Sequence, residues 1–292
     1  MGADLYSEYD EAKRIYDAAE DILELPIKRI SFDGPEEELK QTQYTQPAIF
    51  VHSLVVLELL KKYKIDFHAA AGHSLGEYTA LVAAGAFSFE EGLKLVKLRG
   101  QLMQHSGEVH PGTMAAIIGL KDEQVEAICQ EASAAGVVKP ANFNSPGQIV
   151  ISGSIEGVHK AMELAKEQKA RMVTELTVSG AFHSPLMREA LSGLAEALDQ
   201  APISDPQIPV YCNVTAGPVT TADEVRKNLK LQLMSPVLWH KSFSNMIADG
   251  FDSFLELGPG KVLSGLGKRI DRSANCQPIG TVEDIQKMGE NA

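Results

Sequence analysis

The pentapeptide Gly72-His73-Ser74-Leu75-Gly76 restricts the possible folds of this chain more than any other segment. Residues 66–71 are predicted to form a short buried strand, and residues 77–84 a helix of small and apolar side chains. In a G-x-S-x-G pattern the serine lies on a sharp turn at the carboxyl edge of a sheet, and we expect side chains in place of the glycines to clash. The helix directs free N–H groups and its positive dipole end towards the atom that the serine attacks. The pattern predicts an activated nucleophile and acyl transfer; a serine that only caps a helix is the alternative.

The composition limits the classes of function that are open to the chain. A net charge of −12 over 292 residues argues against nucleic acid as a partner. No apolar run is long enough to span a membrane, and the acidic N-terminus lacks the apolar core of a signal peptide. The cysteines lack metal-ligand spacing, which favours buried, reduced thiols at Cys129, Cys212 and Cys276. We therefore expect a cytoplasmic protein that binds neither nucleic acid nor membrane.

The order of predicted elements changes in the middle third of the chain. Residues 113–178 are predicted as strand, helix, two strands joined by a turn at Asn144-Ser145-Pro146-Gly147, helix and strand. This β-α-β-β-α-β order is typical of a ferredoxin-like unit. The sequence thus predicts an α/β fold with a small ferredoxin-like domain at 107–179. It is inserted in a large α/β-hydrolase-like domain with a parallel sheet, formed by 1–106 and 180–292.

A serine nucleophile needs a base within hydrogen-bond reach, and His183 is the best placed of the eight histidines. It lies in a glycine-bearing loop that returns from the predicted insert, where a side chain can overhang a cleft; a solvated loop histidine is the alternative. Arg99 is the second notable residue, because it follows a mostly apolar helical stretch. It is either a clamp for a substrate carboxylate or a structural arginine with an internal salt bridge or a solvated head group.

Several motifs in this order resemble the malonyl-CoA:acyl-carrier-protein transacylases, the stand-alone enzymes of bacterial-type fatty acid synthesis. The resemblance extends over essentially the whole chain. The motifs that carry it are Thr45-Gln46-Pro47-Ala48, Gly72-His73-Ser74-Leu75-Gly76-Glu77-Tyr78, Leu98-Arg99-Gly100, Asn142-Phe143-Asn144-Ser145-Pro146-Gly147-Gln148 and Glu256-Leu257-Gly258-Pro259-Gly260.

The resemblance implies a role for each of the matching residues. Ser74 would carry the malonyl group as an ester, and His183 would be the general base and acid, oriented by the main-chain carbonyl of Gln232. Arg99 would pair with the malonyl carboxylate, and Ala181-Phe182-His183 resembles the variant associated with malonyl rather than methylmalonyl units. The remaining implied site groups are the Leu75 N–H in the oxyanion hole and the pocket-lining side chains of Gln46 and Gln148. Malonyl-CoA and acyl carrier protein would be the partners of a monomer that needs no cofactor and no metal.

The chain departs from this family at its N-terminus. The family begins with a buried strand and a Gly-Gln-Gly-x-Gln loop that supplies the second oxyanion N–H, and this sequence starts just after that loop. We expect either a wrongly chosen start codon or a truncated form. Loss of one oxyanion donor costs on the order of 100-fold or more in rate, and a lost strand leaves unpaired sheet edges.

Three functions remain open from the sequence. The first is malonyl transfer, and the second is a serine hydrolase or thioesterase of the same elbow type, in which Arg99 is only structural. The third is a catalytically impaired, truncated relative that binds acyl carrier protein or nothing. For carrier binding, Lys261, Lys268 and Arg269 form a candidate basic patch, since the carrier is typically acidic; a solvated charged face is the alternative.

Overall fold

A computed structural model describes residues 1–290 and has an α/β fold with helices packed around short sheets. Within these residues the helices are α1 (Ala3–Glu8), α2 (Asp10–Leu23), α3 (Ile27–Phe32), α4 (Glu36–Leu39), α5 (Thr42–Leu60), α6 (Gly76–Ala83), α7 (Phe89–Val109), α8 (Asp122–Ala132), α9 (Ile155–Glu167), α10 (Arg188–Gln200), α11 (Ala222–Gln232), α12 (Trp239–Ala248), α13 (Val262–Ile270) and α14 (Val282–Glu290). The strands are β1 (Ala70–Ala71), β2 (Thr113–Ile118), β3 (Val138–Ser145), β4 (Gln148–Gly153), β5 (Met172–Glu175), β6 (Val210–Tyr211), β7 (Pro218–Val219), β8 (Ser253–Leu257) and β9 (Asn275–Ile279).

The middle of the chain forms the predicted ferredoxin-like unit. Strands β2 to β5 make an antiparallel sheet in the order β3-β4-β2-β5, and α8 and α9 follow the first and third of these strands. A buried apolar cluster lies between the helices and one face of the sheet. The hairpin turn between β3 and β4 is closed at Gly147, whose φ of 67° suits a residue without a Cβ.

The rest of the chain forms the α/β-hydrolase-like part, in which parallel strand pairs are surrounded by helices. β1 pairs in parallel with β6, which pairs with the antiparallel β7, and β8 pairs in parallel with β9. The largest apolar cluster contains side chains from α2, α5, α6, α7 and α10. Helix α5 is buried on nearly all sides because its residues 46–56 are mostly apolar, as is usual for a central helix.

These elements bring chain segments that are distant in sequence to one edge of the β1–β6 pair. The Ser74 turn follows the carboxyl end of β1, and Asn213 follows β6. Helix α7 contributes Arg99, α11 ends at Gln232, and His183 lies in the loop after β5. This edge is where open α/β sheets place their binding sites.

Some element boundaries differ from the sequence predictions. The strand predicted at 66–71 is reduced to Ala70 and Ala71, because only these residues pair with β6. Apolar residues at helical spacing predict one helix over 5–25, but this segment is divided into α1 and α2 at Tyr9, whose φ and ψ of −119° and 127° are extended. Among residues 1–290, no helix is both long and apolar enough to cross a membrane. The three cysteines are buried and free.

Candidate active site

Ser74 lies on a strained turn between β1 and α6. Its φ is 51°, a left-handed value that non-glycine residues seldom adopt and that is common at functional sites. Gly72 is required at this turn, because a Cβ there would lie 1.9 Å from the carbonyl of Gly76. The predicted clash of a side chain is wrong for Gly76, where a Cβ would meet nothing within 4 Å. The turn therefore depends on the close approach of the chain at Gly72 alone.

The Ser74 hydroxyl lies 2.8 Å from Nε2 of His183. The other ring nitrogen, Nδ1, lies 3.0 Å from the main-chain carbonyl oxygen of Gln232, which can only accept a hydrogen bond. Nδ1 therefore carries the proton, and Nε2 has a free lone pair facing the hydroxyl. Burial, together with the positive charge of Arg99, lowers the pKa of His183 to about 3. The neutral imidazole is thus the form present at neutral pH, and its free lone pair lies within hydrogen-bond distance of the Ser74 hydroxyl.

Arg99 is a buried cation beside the nucleophile, and its side chain is 1% exposed. One terminal nitrogen donates to Oε1 of Gln46 at 2.6 Å; the other donates to the Ser74 hydroxyl at 2.9 Å and to Oε1 of Gln232 at 3.1 Å. All three partners are neutral, and within residues 1–290 no carboxylate forms a salt bridge with this guanidinium. Burial lowers its pKa, but arginine remains charged in proteins. The site therefore holds a buried positive charge next to the reacting hydroxyl, and Glu77 acts on that charge electrostatically without forming a direct ion pair with it.

The Leu75 N–H is available to a ligand. The N–H of Ser74 donates to Asn213, and those of Gly76, Glu77 and Tyr78 donate to carbonyls of the turn. The Leu75 N–H has no acceptor among the residues that the structure describes, although it lies next to Ser74 at the start of α6. A free N–H in this position is suited to stabilise an oxyanion.

The structure places two further residues of the motifs away from the reacting hydroxyl. Gln148, at the start of β4, is hydrogen-bonded through Oε1 to Arg269 of α13 and contacts none of Ser74, His183 and Arg99 by a hydrogen bond. His73 points its Nε2 towards Oδ1 of Asn144 at 2.8 Å, so it links the turn to β3. Ser74, His183, Arg99, Gln46 and Gln232 are thus brought together, whereas Gln148 lies on the side of the small sheet.

A buried polar network that the sequence analysis did not identify lies beneath this cluster. Glu77 is 2% exposed and accepts hydrogen bonds from the main chain of Asn213 and the side chain of Gln232. Burial raises the pKa of Glu77 to about 7. The available signal was a single carboxylate in the otherwise small and apolar sequence of α6, since buried charges are rare without a specific role. Asn213 carries no comparable sequence signal.

The described residues contain no cluster of three or more histidine, cysteine, aspartate or glutamate side chains that could hold a metal ion.

Comparisons with known proteins agree on one family. Residues 1–288 match the family model described as "Acyl transferase domain". The malonyl CoA-acyl carrier protein transacylase of Bacillus subtilis strain 168 is 43% identical over 287 residues, which is 98% of this chain and 90% of that protein.

Solved structures show the same similarity. The malonyl CoA-acyl carrier protein transacylase of Coxiella burnetii is 38% identical and superposes with a TM-score of 0.95 over 98% of this chain and 91% of its own. A malonyl-transacylase solved in complex with its type II PKS acyl-carrier protein is 36% identical, with a TM-score of 0.96 over 100% of this chain and 95% of its own.

Proposed function

The chain belongs to the acyl transferase family, among the malonyl-CoA:acyl-carrier-protein transacylases, and we propose that its Ser74 carries the malonyl group between the two thiols. The enzyme transfers the malonyl group from malonyl-CoA to the phosphopantetheine thiol of acyl carrier protein in fatty acid biosynthesis. The observation that carries the assignment of the site is the buried guanidinium of Arg99, which lies 2.9 Å from the Ser74 hydroxyl and has no ion-pair partner among residues 1–290.

The first half-reaction forms an ester on Ser74. The hydroxyl attacks the thioester carbonyl of malonyl-CoA while Nε2 of His183, 2.8 Å away, takes its proton. The Leu75 N–H donates to the developing oxyanion. When the tetrahedral intermediate collapses, the C–S bond breaks, and the imidazolium returns its proton to the CoA sulfur. The products are malonyl-Ser74 and CoA-SH.

The second half-reaction reverses these steps with a different thiol. The phosphopantetheine thiol of the carrier loses its proton to His183 and attacks the ester carbonyl. The C–O bond to Ser74 then breaks, and the imidazolium protonates the serine oxygen. Because the Gln232 carbonyl holds Nδ1 as the protonated nitrogen, the same ring can act as base and acid in both directions without a change of tautomer.

Arg99 accounts for the choice of a malonyl group. A free carboxylate supplied by the substrate would compensate the buried guanidinium, and bidentate arginine–carboxylate pairs are among the strongest hydrogen-bonded contacts. An acetyl group carries no such charge. It therefore cannot offset the free energy that burial of the Arg99 guanidinium costs. Gln46, which accepts from Arg99 at 2.6 Å, lines the same pocket and keeps the guanidinium in place. The buried charge thus favours a malonyl group over an acetyl group.

We assign the remaining features of the enzyme on the same basis. We assign residues 1–106 and 180–292 to the catalytic domain and residues 107–179, which include Gln148, to the small domain. The reaction requires no cofactor, because serine and histidine supply the nucleophile and the base. We also propose a cytoplasmic location for the enzyme, as its role in bacterial-type fatty acid synthesis implies.

The proposal is tested by intact mass spectrometry of this chain after incubation with malonyl-CoA. We expect a mass gain of one malonyl group on Ser74, absent in Ser74→Ala, and loss of that gain on addition of holo acyl carrier protein, which becomes malonylated. A folded protein that gains no mass contradicts the proposal. Release of free malonate without loading of the carrier would instead identify a hydrolase.

A further inference from the structure

The buried carboxylate of Glu77 is placed to hold both catalytic side chains. We propose that Glu77 is a positioning residue for acyl transfer, acting through Asn213 on the Ser74 turn and through Gln232 on His183 and Arg99. This inference rests on the proposed function, since the residues that it positions are those of the malonyl-transfer site.

Glu77 is a branch point because one of its oxygens serves two elements. Oε2 accepts from the main-chain N–H of Asn213 at 2.9 Å and from Nε2 of Gln232 at 2.9 Å. Asn213 follows β6, and Gln232 is the last residue of α11. The carboxylate is itself part of α6, the helix that begins beside the nucleophile. Three elements are therefore tied together at a single buried atom.

The Asn213 branch fixes the conformation of the Ser74 turn. Oδ1 of Asn213 accepts from the Ser74 N–H at 2.7 Å, and Nδ2 of Asn213 donates to the Gly72 carbonyl at 2.7 Å. These two bonds span the residue with the left-handed φ of 51°. A backbone in a sparsely populated region persists only where its surroundings hold it. Asn213 provides that restraint, and Glu77 holds the main chain of Asn213.

The Gln232 branch reaches the other two functional side chains. The same Nε2 that donates to Glu77 also donates to the Ser74 carbonyl at 2.9 Å. The Gln232 main-chain oxygen accepts from Nδ1 of His183 at 3.0 Å, and its Oε1 accepts from Arg99 at 3.1 Å. The position of this one glutamine therefore fixes the histidine tautomer. It also provides one hydrogen-bond acceptor for the guanidinium and one donor for the Ser74 carbonyl.

Removal of the acceptor has a defined physical consequence. Without Glu77 the Asn213 N–H and one Gln232 N–H would be buried donors without partners, and such groups rearrange to regain hydrogen bonds. Either rearrangement moves Ser74 relative to His183, and transfer rates are sensitive to shifts of about 1 Å in reacting groups. Arg99 loses at most its bond to Gln232 and keeps its bond to Gln46, so the effect falls on the chemical step more than on binding.

The test compares Glu77→Ala, Glu77→Gln and Asp284→Ala in single-turnover acylation by malonyl-CoA. Asp284 is the matched control, because its Oδ2 accepts from the N–H groups of Gly280 and Thr281 at the start of α14. We expect Glu77→Ala to slow the chemical step about tenfold or more, with the KM for malonyl-CoA changed less than about threefold. Glu77→Gln, which keeps an acceptor oxygen, and Asp284→Ala should stay within about threefold of wild type.

Two further measurements keep the outcomes distinct. If Glu77→Ala does not fold, Asn213→Ala tests the same network and should slow acylation by a similar factor. A serine-directed fluorophosphonate probe reports the reactivity of Ser74 without malonyl-CoA. A wild type that reacts with the probe but not with malonyl-CoA contradicts the proposed function only. Acylation by a folded Glu77→Ala at the wild-type rate, or a Glu77→Gln as slow as Glu77→Ala, overturns the positioning role.

Discussion

Arg99 is the single residue whose replacement most directly tests substrate choice. Arg99→Met removes the charge and keeps an unbranched side chain at this buried position. Two charge-assisted hydrogen bonds are worth about 3 kcal/mol or more together. We therefore expect kcat/KM for malonyl-CoA to fall on the order of 100-fold or more, whereas acetyl-CoA becomes the better substrate of the two.

The control for this substitution is Arg29→Met. Arg29 forms a surface ion pair with Glu38 and is remote from the site in sequence and contacts, so its loss should leave both substrates unaffected. Steady-state rates with the two acyl-CoA substrates decide the question. An Arg99→Met enzyme that still transfers malonyl at the wild-type rate would show that the guanidinium is structural.

The residue types at the site were largely accessible from sequence, because they carry local signals. Ser74 lies in a five-residue pattern, His183 in a glycine-bearing loop and Arg99 in an apolar stretch. Gln148 shows the limit of this reasoning, since the structure pairs it with Arg269 rather than with the reacting groups. Its predicted place in the pocket stays a prediction, because no local pattern specifies which neighbour a polar side chain contacts.

At the scale of elements, α13 carries the candidate basic patch for acyl carrier protein. Lys268 and Arg269 lie in its last turn, and Lys261 immediately precedes it; all three are exposed. Arg269 also bonds to β4 of the small sheet, which places this end of α13 at the junction with that sheet. Val262, at the first position of the helix, is 69% exposed and adds an apolar contact to the same surface.

Charge reversal tests whether this element docks the carrier. We expect the double variant Lys261→Glu/Lys268→Glu to raise the KM for acyl carrier protein roughly tenfold at low salt, and less at high salt, because surface charges act mainly on encounter. Ser74 acylation by malonyl-CoA should not change. Lys13→Glu/Lys40→Glu, on exposed positions near α2 and α4, is the matched control. Equal KM values for both double variants would dismiss the patch.

The elements themselves differ in how far the sequence predicts them. A clear apolar pattern on each side of a Gly-Pro-Gly turn predicts a strand at 253–257 and a helix at 262–270. β8 and α13 have these bounds. The strand before Ser74 is shorter than predicted, because strand length depends on the partner that supplies hydrogen bonds. Helices α3, α4 and α14 and strands β7 and β9 were not predicted, as each is short or weakly patterned.

At the scale of the whole molecule, buried ionisable groups make stability depend on pH in two opposed ways. Burial lowers the pKa of His183 to about 3 and that of His52 to about 4. Between these values and pH 6.5 the two histidines bind protons in the unfolded chain but not in the folded protein. The free energy of unfolding therefore decreases as the pH falls below 6.5. Glu77 acts in the opposite direction, because burial raises its pKa from 4.5 to about 7.

Comparison of wild type with Glu77→Gln isolates the contribution of this one carboxyl. The folded protein binds the Glu77 proton more tightly than the unfolded chain, so its contribution is fully present below pH 4.5 and lost as the pH rises through 7. Over that window we expect wild type to lose about 3 kcal/mol of unfolding free energy relative to the variant. Urea denaturation at pH 4.5, 6 and 8 measures the difference. A difference that is constant with pH would show that Glu77 titrates normally.

The amino-acid sequence by itself determined the fold class and the ferredoxin-like element order, and it predicted Ser74 and His183 as nucleophile and base, because each of these has a local pattern of spacing or polarity. The tertiary structure alone decided which polar groups meet. The bond from Ser74 to Asn213 joins residues 139 positions apart, and that from Gln232 to Ser74 joins residues 158 apart. Such partners are chosen by the packing of β6 and α11 against the Ser74 turn, where buried polar groups must be paired. The buried role of Glu77, in a helix that the sequence predicted only as small and apolar, follows from that packing.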